Sequence, residues 1–145
     1  MAPQLKYHKL QHKHVLVIGG SSGIGYAIAE ASIESGAVVT ISSSRQAKLD
    51  ASVSSLQSSY PAARVTGVAA DLSRTTVDHD LDSLFKAATT SSGQIHHVVY
   101  TAADSLALGP LEETTTEGIL KAAHMRSKQL LDTILTPSRT NISHL

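Results

Sequence analysis

The chain has 145 residues, enough for one compact domain with a useful core. Twelve basic and twelve acidic residues cancel and aromatics are only 3% of the chain, so no long-range field or stacking surface recruits nucleic acid or an anionic membrane. There is no cysteine, which excludes disulfides, thiolate catalysis and cysteine-ligated metal.

Residues 1–13 are polar, rich in Lys and His, and read as a surface lead-in. No apolar signal core follows Met1, and the longest apolar runs are a few residues, far short of a membrane span. The expectation is a soluble, cytoplasmic chain. His14-Val15-Leu16-Val17-Ile18 is a β-branched run that ends on glycines, which predicts a buried strand. Ile24, Ala27, Ile28 and Ala31 recur at helical spacing, and Gly36 closes that helix. Residues 37–42 form a second predicted strand. Residues 45–58 predict a serine-rich helix with Leu49, Val53 and Leu56 on one face. A third strand, 64–69, follows the Tyr60-Pro61 turn, and a third helix, 78–89, carries Leu81, Leu84 and Phe85. Residues 95–101 predict a fourth strand, entered from Ser92-Gly93. Thr114, with Glu117 three residues on, forms a capping box for a last helix through Ile119, Leu120, Ala123, Leu130, Leu131 and Ile134, until Pro137 stops it. Residues 138–145 read as a frayed polar tail.

Strand and helix alternate throughout, the signature of βαβ units. The predicted fold is therefore α/β, a Rossmann-type doubly wound parallel sheet with helices on both faces.

Gly19-Gly20-Ser21-Ser22-Gly23-Ile24-Gly25 lies between the first strand and the first helix. A helix N-terminus offers unpaired N–H groups and a positive dipole end, which suit a pyrophosphate. Gly19 permits the sharp turn, Gly23 lets the backbone approach phosphates, and Gly25 lets the helix pack close to the sheet. Ser21 and Ser22 bring hydroxyls to the same anion. The plain alternative is a glycine-rich turn with no ligand. Ser22 is not a hydrolase nucleophile, since the pattern is not G-x-S-x-G followed by an acid and a His. Two histidine pairs, His12 with His14 and His96 with His97, lack a carboxylate to complete a metal site.

The glycine spacing resembles that of the short-chain dehydrogenase/reductase family, whose motif reads Thr-Gly-x-x-x-Gly-x-Gly. Ile18 stands where the family usually has Thr. The resemblance covers about residues 12–126 and implies a sheet of strand order 3-2-1-4. It also implies hydride transfer between a nicotinamide cofactor and a small carbonyl or alcohol.

NAD-type sites carry an acidic residue about 20 positions past the glycines, to hold the ribose 2′-hydroxyl. Twenty positions after Gly25 stands Arg45, preceded by Ser43 and Ser44, and no carboxylate comes before Asp50. A guanidinium and hydroxyls suit a 2′-phosphate, so NADP(H) is the expected cofactor. The competing assignment makes Ser44 a helix cap and Arg45 a solvated charge. The resemblance further implies adenine contacts at Asp71 and Leu72, although an Asp there also suits a turn. Thr101 and Ala102 occupy the family's two Asn positions, with backbone contact to the cofactor ribose implied, and Asp104 its Gly position. Such Thr-Ala-x-Asp versions resemble a fungal branch often associated with secondary metabolism.

The family's chemistry comes from an Asn on the fourth helix, a Ser and a Tyr-x-x-x-Lys pair. Arg126 occupies the Asn position. Four residues beyond Tyr7, Tyr26, Tyr60 and Tyr100 stand Gln11, Glu30, Arg64 and Asp104, so none begins Tyr-x-x-x-Lys. The expected organisation is a cofactor-binding domain over 14–126 and a divergent helical, frayed tail over 127–145. That organisation would be truncated before the catalytic residues, with strand 95–101 left as an edge prone to self-association. Three readings follow: a degenerate family member inactive alone, a reductase completed by groups from elsewhere, or a non-catalytic nucleotide-binding or interaction module.

Overall fold

The structure is a computed structural model that describes residues 9–73, 77–103, 115–123 and 131–132. Its strands are β1 His14–Ile18, β2 Val38–Ser43, β3 Val65–Ala69 and β4 His97–Tyr100. Its helices are α1 Gly23–Glu34, α2 Gln46–Ser59, α3 Val77–Ser92 and α4 Thr116–Ala123. The strands form one sheet in the order β3-β2-β1-β4, and every pairing is parallel. The expected strand order is therefore the one the chain adopts.

Side-chain alternation along β1 explains why helices lie on both faces. Val15 and Val17 point to one face and pack with Ala29 and Ile33 of α1 and Leu49 and Leu56 of α2. Leu16 and Ile18 point to the other and pack with Leu81, Leu84, Phe85 and Ala88 of α3. All five β1 residues are buried, the pattern of a central parallel strand with both faces covered. His14, at its start, is satisfied by polar partners. Its Nδ1 lies 2.9 Å from the Gly93 carbonyl and its Nε2 2.8 Å from Thr40 Oγ1. A carbonyl only accepts, so Nδ1 carries the proton and Nε2 accepts from Thr40. Thr40 Oγ1 in turn sits 2.9 Å from Thr66 Oγ1, which lies 3.2 Å from Ser92 Oγ.

Two elements differ from the sequence expectation. The buried face of α1 is Gly25, Ala29, Ser32 and Ile33, whereas Ile24 is 76% exposed. The apolar spacing through Ile24, Ala27, Ile28 and Ala31 marked the neighbouring stripe; small residues let the helix axis approach the sheet on the other side. The cap of α4 is also shifted by one residue. Thr115 Oγ1 accepts the Gly118 N–H at 3.1 Å, with Glu117 in the first turn, while Thr114 lies outside the described residues. Ile119 and Leu120 on α4 are exposed. The expected lead-in before residue 9, Asp104, Arg126 and nearly all of the tail lie outside the described residues.

Candidate functional site

The C-terminal ends of all four strands open into one cleft of about 300 Å³. In an open α/β sheet, ligands bind in this crevice, where strand order reverses on either side of the first strand. Here the reversal lies between β1 and β4, which are neighbours although α1, β2, α2, β3 and α3 separate them in sequence.

The floor is the β1–α1 turn. Gly23 has φ +55°, and a Cβ built on it would meet nothing within 4 Å, so its backbone faces open space. Ser22 is the N-cap residue of α1 in an extended conformation, and its side chain makes no cap hydrogen bond. The first-turn N–H groups of α1 therefore remain available to an anion. Gly25 answers to packing instead. A Cβ there would overlap the Gly19 carbonyl and Thr101 Oγ1. Thr101 fastens the turn to β4: its N–H donates to Ile18 O at 2.8 Å, and its hydroxyl lies 3.1 Å from the same oxygen and 3.3 Å from Gly19 O. The Thr101 hydroxyl thus ties the glycine turn to the end of β4.

One wall is the end of β2. Ser42, Ser43, Ser44 and Arg45 line it, and Ser21 Oγ donates to Ser43 Oγ at 2.9 Å across the cleft floor. Ser44 does not cap the next helix; Arg45 is the N-cap residue of α2 and is exposed. Lys48, on the first turn of α2, lines the same wall and donates from Nζ to Ser22 Oγ at 2.7 Å. Opposite, after β3, Asp71 Oδ1 accepts from Ser73 N at 3.0 Å and from Ser73 Oγ at 2.6 Å, closing a local turn. Leu72 is buried in the α3-side core while also lining the cleft.

Of the residues singled out in sequence, Gly19, Ser21, Ser22, Ser43, Ser44, Arg45, Asp71, Leu72, Thr101 and Ala102 all line this cleft. Gly23, Ile24 and Gly25 stand on the first turn of α1 beside it, and Arg126 lies outside the described residues. Sequence reasoning missed Ile18, Ser42, Lys48, Ala70, Ser73 and Ala103. Most of these adjoin a chosen residue in the chain. Lys48 had no spacing signal, because only the fold of α2 against the glycine turn brings it in.

The tyrosines have other occupations. Tyr26 OH donates to Ser55 Oγ at 3.1 Å. Tyr60 OH donates to Glu34 Oε1 at 2.7 Å, and this bond raises its pKa far above the usual phenol range. Tyr100 packs against the α3-side core. No group of three metal-ligating side chains occurs among the described residues, nor is any helix there long and apolar enough to cross a membrane.

A family model described as an SDR-like Rossmann domain matches residues 6–130. The chain belongs to the short-chain dehydrogenase/reductase family. Short-chain dehydrogenase/reductase fsr5 of Gibberella fujikuroi is 43% identical over 131 residues, 87% of this chain and 49% of that protein. Short-chain dehydrogenase/reductase malC of Malbranchea aurantiaca is 38% identical over 131 residues, again 87% of this chain and 49% of that one. A solved structure of MalC reductase/Diels-Alderase from the same organism superposes with a TM-score of 0.78 at 35% identity, covering 90% of this chain and 51% of the other. The chain thus spans about half the length of the curated relatives it matches. The Rossmann-type domain of this family binds nicotinamide cofactors.

Proposed function

We propose that the cleft binds NADP(H) and that the chain is the cofactor-binding half of a reductase that passes hydride between NADP(H) and a small carbonyl or alcohol. The observation that carries this reading is the wall after β2. Residues 42–48 read Ser-Ser-Ser-Arg-Gln-Ala-Lys, and the cleft lining along them contains hydroxyls and two cations but no carboxylate. A 2′-phosphate needs positive charge and hydrogen-bond donors, whereas a carboxylate would repel it. The cleft fits the rest of the cofactor as well. The uncapped N-terminus of α1 suits the pyrophosphate, the Asp71-Leu72 wall the adenine, and the backbone of Thr101 and Ala102 the ribose. When bound, the nicotinamide supplies or takes up the hydride. This chain's residues hold and orient it.

The general acid of the family, Tyr-x-x-x-Lys, does not occur in these 145 residues. That group contributes about 100- to 10,000-fold to rate. Purified chain should therefore show no ketone-dependent NADPH oxidation above background; steady turnover that vanishes in Gly23→Trp would overturn this part of the reading. The proposal extends to a cytoplasmic role in secondary metabolism, which the Thr-Ala-x-Asp resemblance to a fungal branch of the family suggests, and to Arg126 as a further contact near the cofactor. A second reading, a non-catalytic nucleotide-binding module, is favoured by the hydrogen-bonded engagement of Tyr26 and Tyr60 away from the cleft.

Isothermal titration tests the cofactor assignment. The chain should bind NADPH more tightly than NADH, and Arg45→Asp should weaken NADPH and narrow the preference. Equal affinity for the two cofactors in the unmodified chain would refute it.

A further inference from the structure

We infer that Lys48 is the pre-positioned cation that selects the cofactor's 2′-phosphate, an assignment that rests on the NADP(H) reading of the cleft. Arg45, the residue that sequence spacing singles out, is exposed, and its guanidinium makes no hydrogen bond among the described residues. To grip a phosphate it must first be ordered, at the entropy cost of a long side chain. Lys48 is already held. It is half-buried, and its Nζ lies 2.7 Å from Ser22 Oγ, so the side chain reaches from α2 to the glycine turn.

The backbone beneath it is fixed too. Ser52 Oγ lies 2.9 Å from Ser21 O and 2.8 Å from Lys48 O, so one hydroxyl ties the first turn of α2 to the phosphate-binding turn. Ser52 is itself buried. The ammonium meets a neutral hydroxyl, and no carboxylate among the described residues is hydrogen-bonded to it, so its positive charge is not spent on an internal ion pair. A phosphate dianion completes the arrangement. Ser22 accepts from Lys48, so its own hydroxyl proton stays free to donate to the same anion.

Lys48 lies between the β2 wall and the glycine turn, so it could instead serve the pyrophosphate, which NADH and NADPH share. The test separates these roles. Wild-type chain, Lys48→Met, Lys48→Gln, Lys48→Arg and Arg45→Met are each titrated with NADPH, NADH and 2′,5′-ADP, with circular dichroism to check the fold. Both neutral variants should weaken NADPH and 2′,5′-ADP by roughly tenfold or more, the scale of one lost charge-assisted hydrogen bond, and leave NADH nearly unchanged. Lys48→Arg should keep most of the preference. Equal weakening of both cofactors would overturn the assignment in favour of the pyrophosphate. An unchanged NADPH-to-NADH ratio in the Lys48 variants, with the preference erased in Arg45→Met, would overturn it while leaving the NADP(H) reading intact. A wild-type chain with no preference, or with no binding of either cofactor, would remove both.

Discussion

His14 sets a pH dependence that belongs to a single residue. It is 2% exposed, and burial holds its imidazole below the ordinary value of 6.5; the Gly93 carbonyl opposes this, and His96 and Arg64 add repulsion. The unfolded chain takes up this proton near 6.5 and the folded chain resists it. The stability involved is therefore complete above 6.5 and is lost as the pH falls through the lowered folded value. Urea midpoints should drop on going below pH 6.5, and His14→Gln should flatten that slope; an identical slope in the variant would exclude His14 as its source. Gly25 makes a second residue-scale prediction. Ala is normally better than Gly in a helix by about 1 kcal/mol. Here the new Cβ overlaps the Gly19 carbonyl and Thr101 Oγ1, and overpacking of about 1–3 kcal/mol should win. Denaturant titration of Gly25→Ala should show net destabilisation and weaker cofactor binding. Both glycines of the helix turn were legible in sequence because a motif fixes their spacing. Lys48 was not, because its approach to Ser22 is a tertiary contact between residues 26 apart.

At the scale of elements, the period of two along β1 is what makes the fold readable. Val15 and Val17 face α1 and α2 while Leu16 and Ile18 face α3, so a continuous apolar run signals burial on both sides. Among the described helices α3 alone supplies the second face. Phe85→Ala should therefore cost about 3–5 kcal/mol, read from the shift of the urea midpoint at constant slope. A shift well below 1 kcal/mol would mean that this face is loosely packed. Strand ends lie within two residues of their expected places, and β1 matches at both ends because its β-branched run stops at Gly19. Helix faces were harder. In α1 two apolar stripes adjoin, and the sheet selects the one with Gly25 and Ala29 because close approach matters more than hydrophobic count. The cap of α4 was ambiguous for a similar local reason: Thr114, Thr115 and Thr116 stand in a row, and only the backbone path picks Thr115.

At the scale of the whole molecule, β4 is one of the two flanks of the described sheet. It pairs with β1 on one side, and among the described residues no strand pairs with its other edge. His97 and Val98 are exposed, and the strand contains neither Lys nor Pro to deter pairing. The 145-residue chain should therefore self-associate through this edge. Analytical ultracentrifugation should find dimers or larger species, with amides of residues 97–100 gaining protection from hydrogen exchange as concentration rises. A monomer at all concentrations would count against it. The central claim, that the four strand ends form an NADP(H) cleft, is tested most directly by an amide-resolved NMR titration with NADPH. The account predicts saturable shifts at residues 19–25, at 43–45 with Lys48, and at Asp71 and Leu72, with the shifts at 43–48 smaller for NADH. Shifts confined to other surfaces, or none at all, would contradict it.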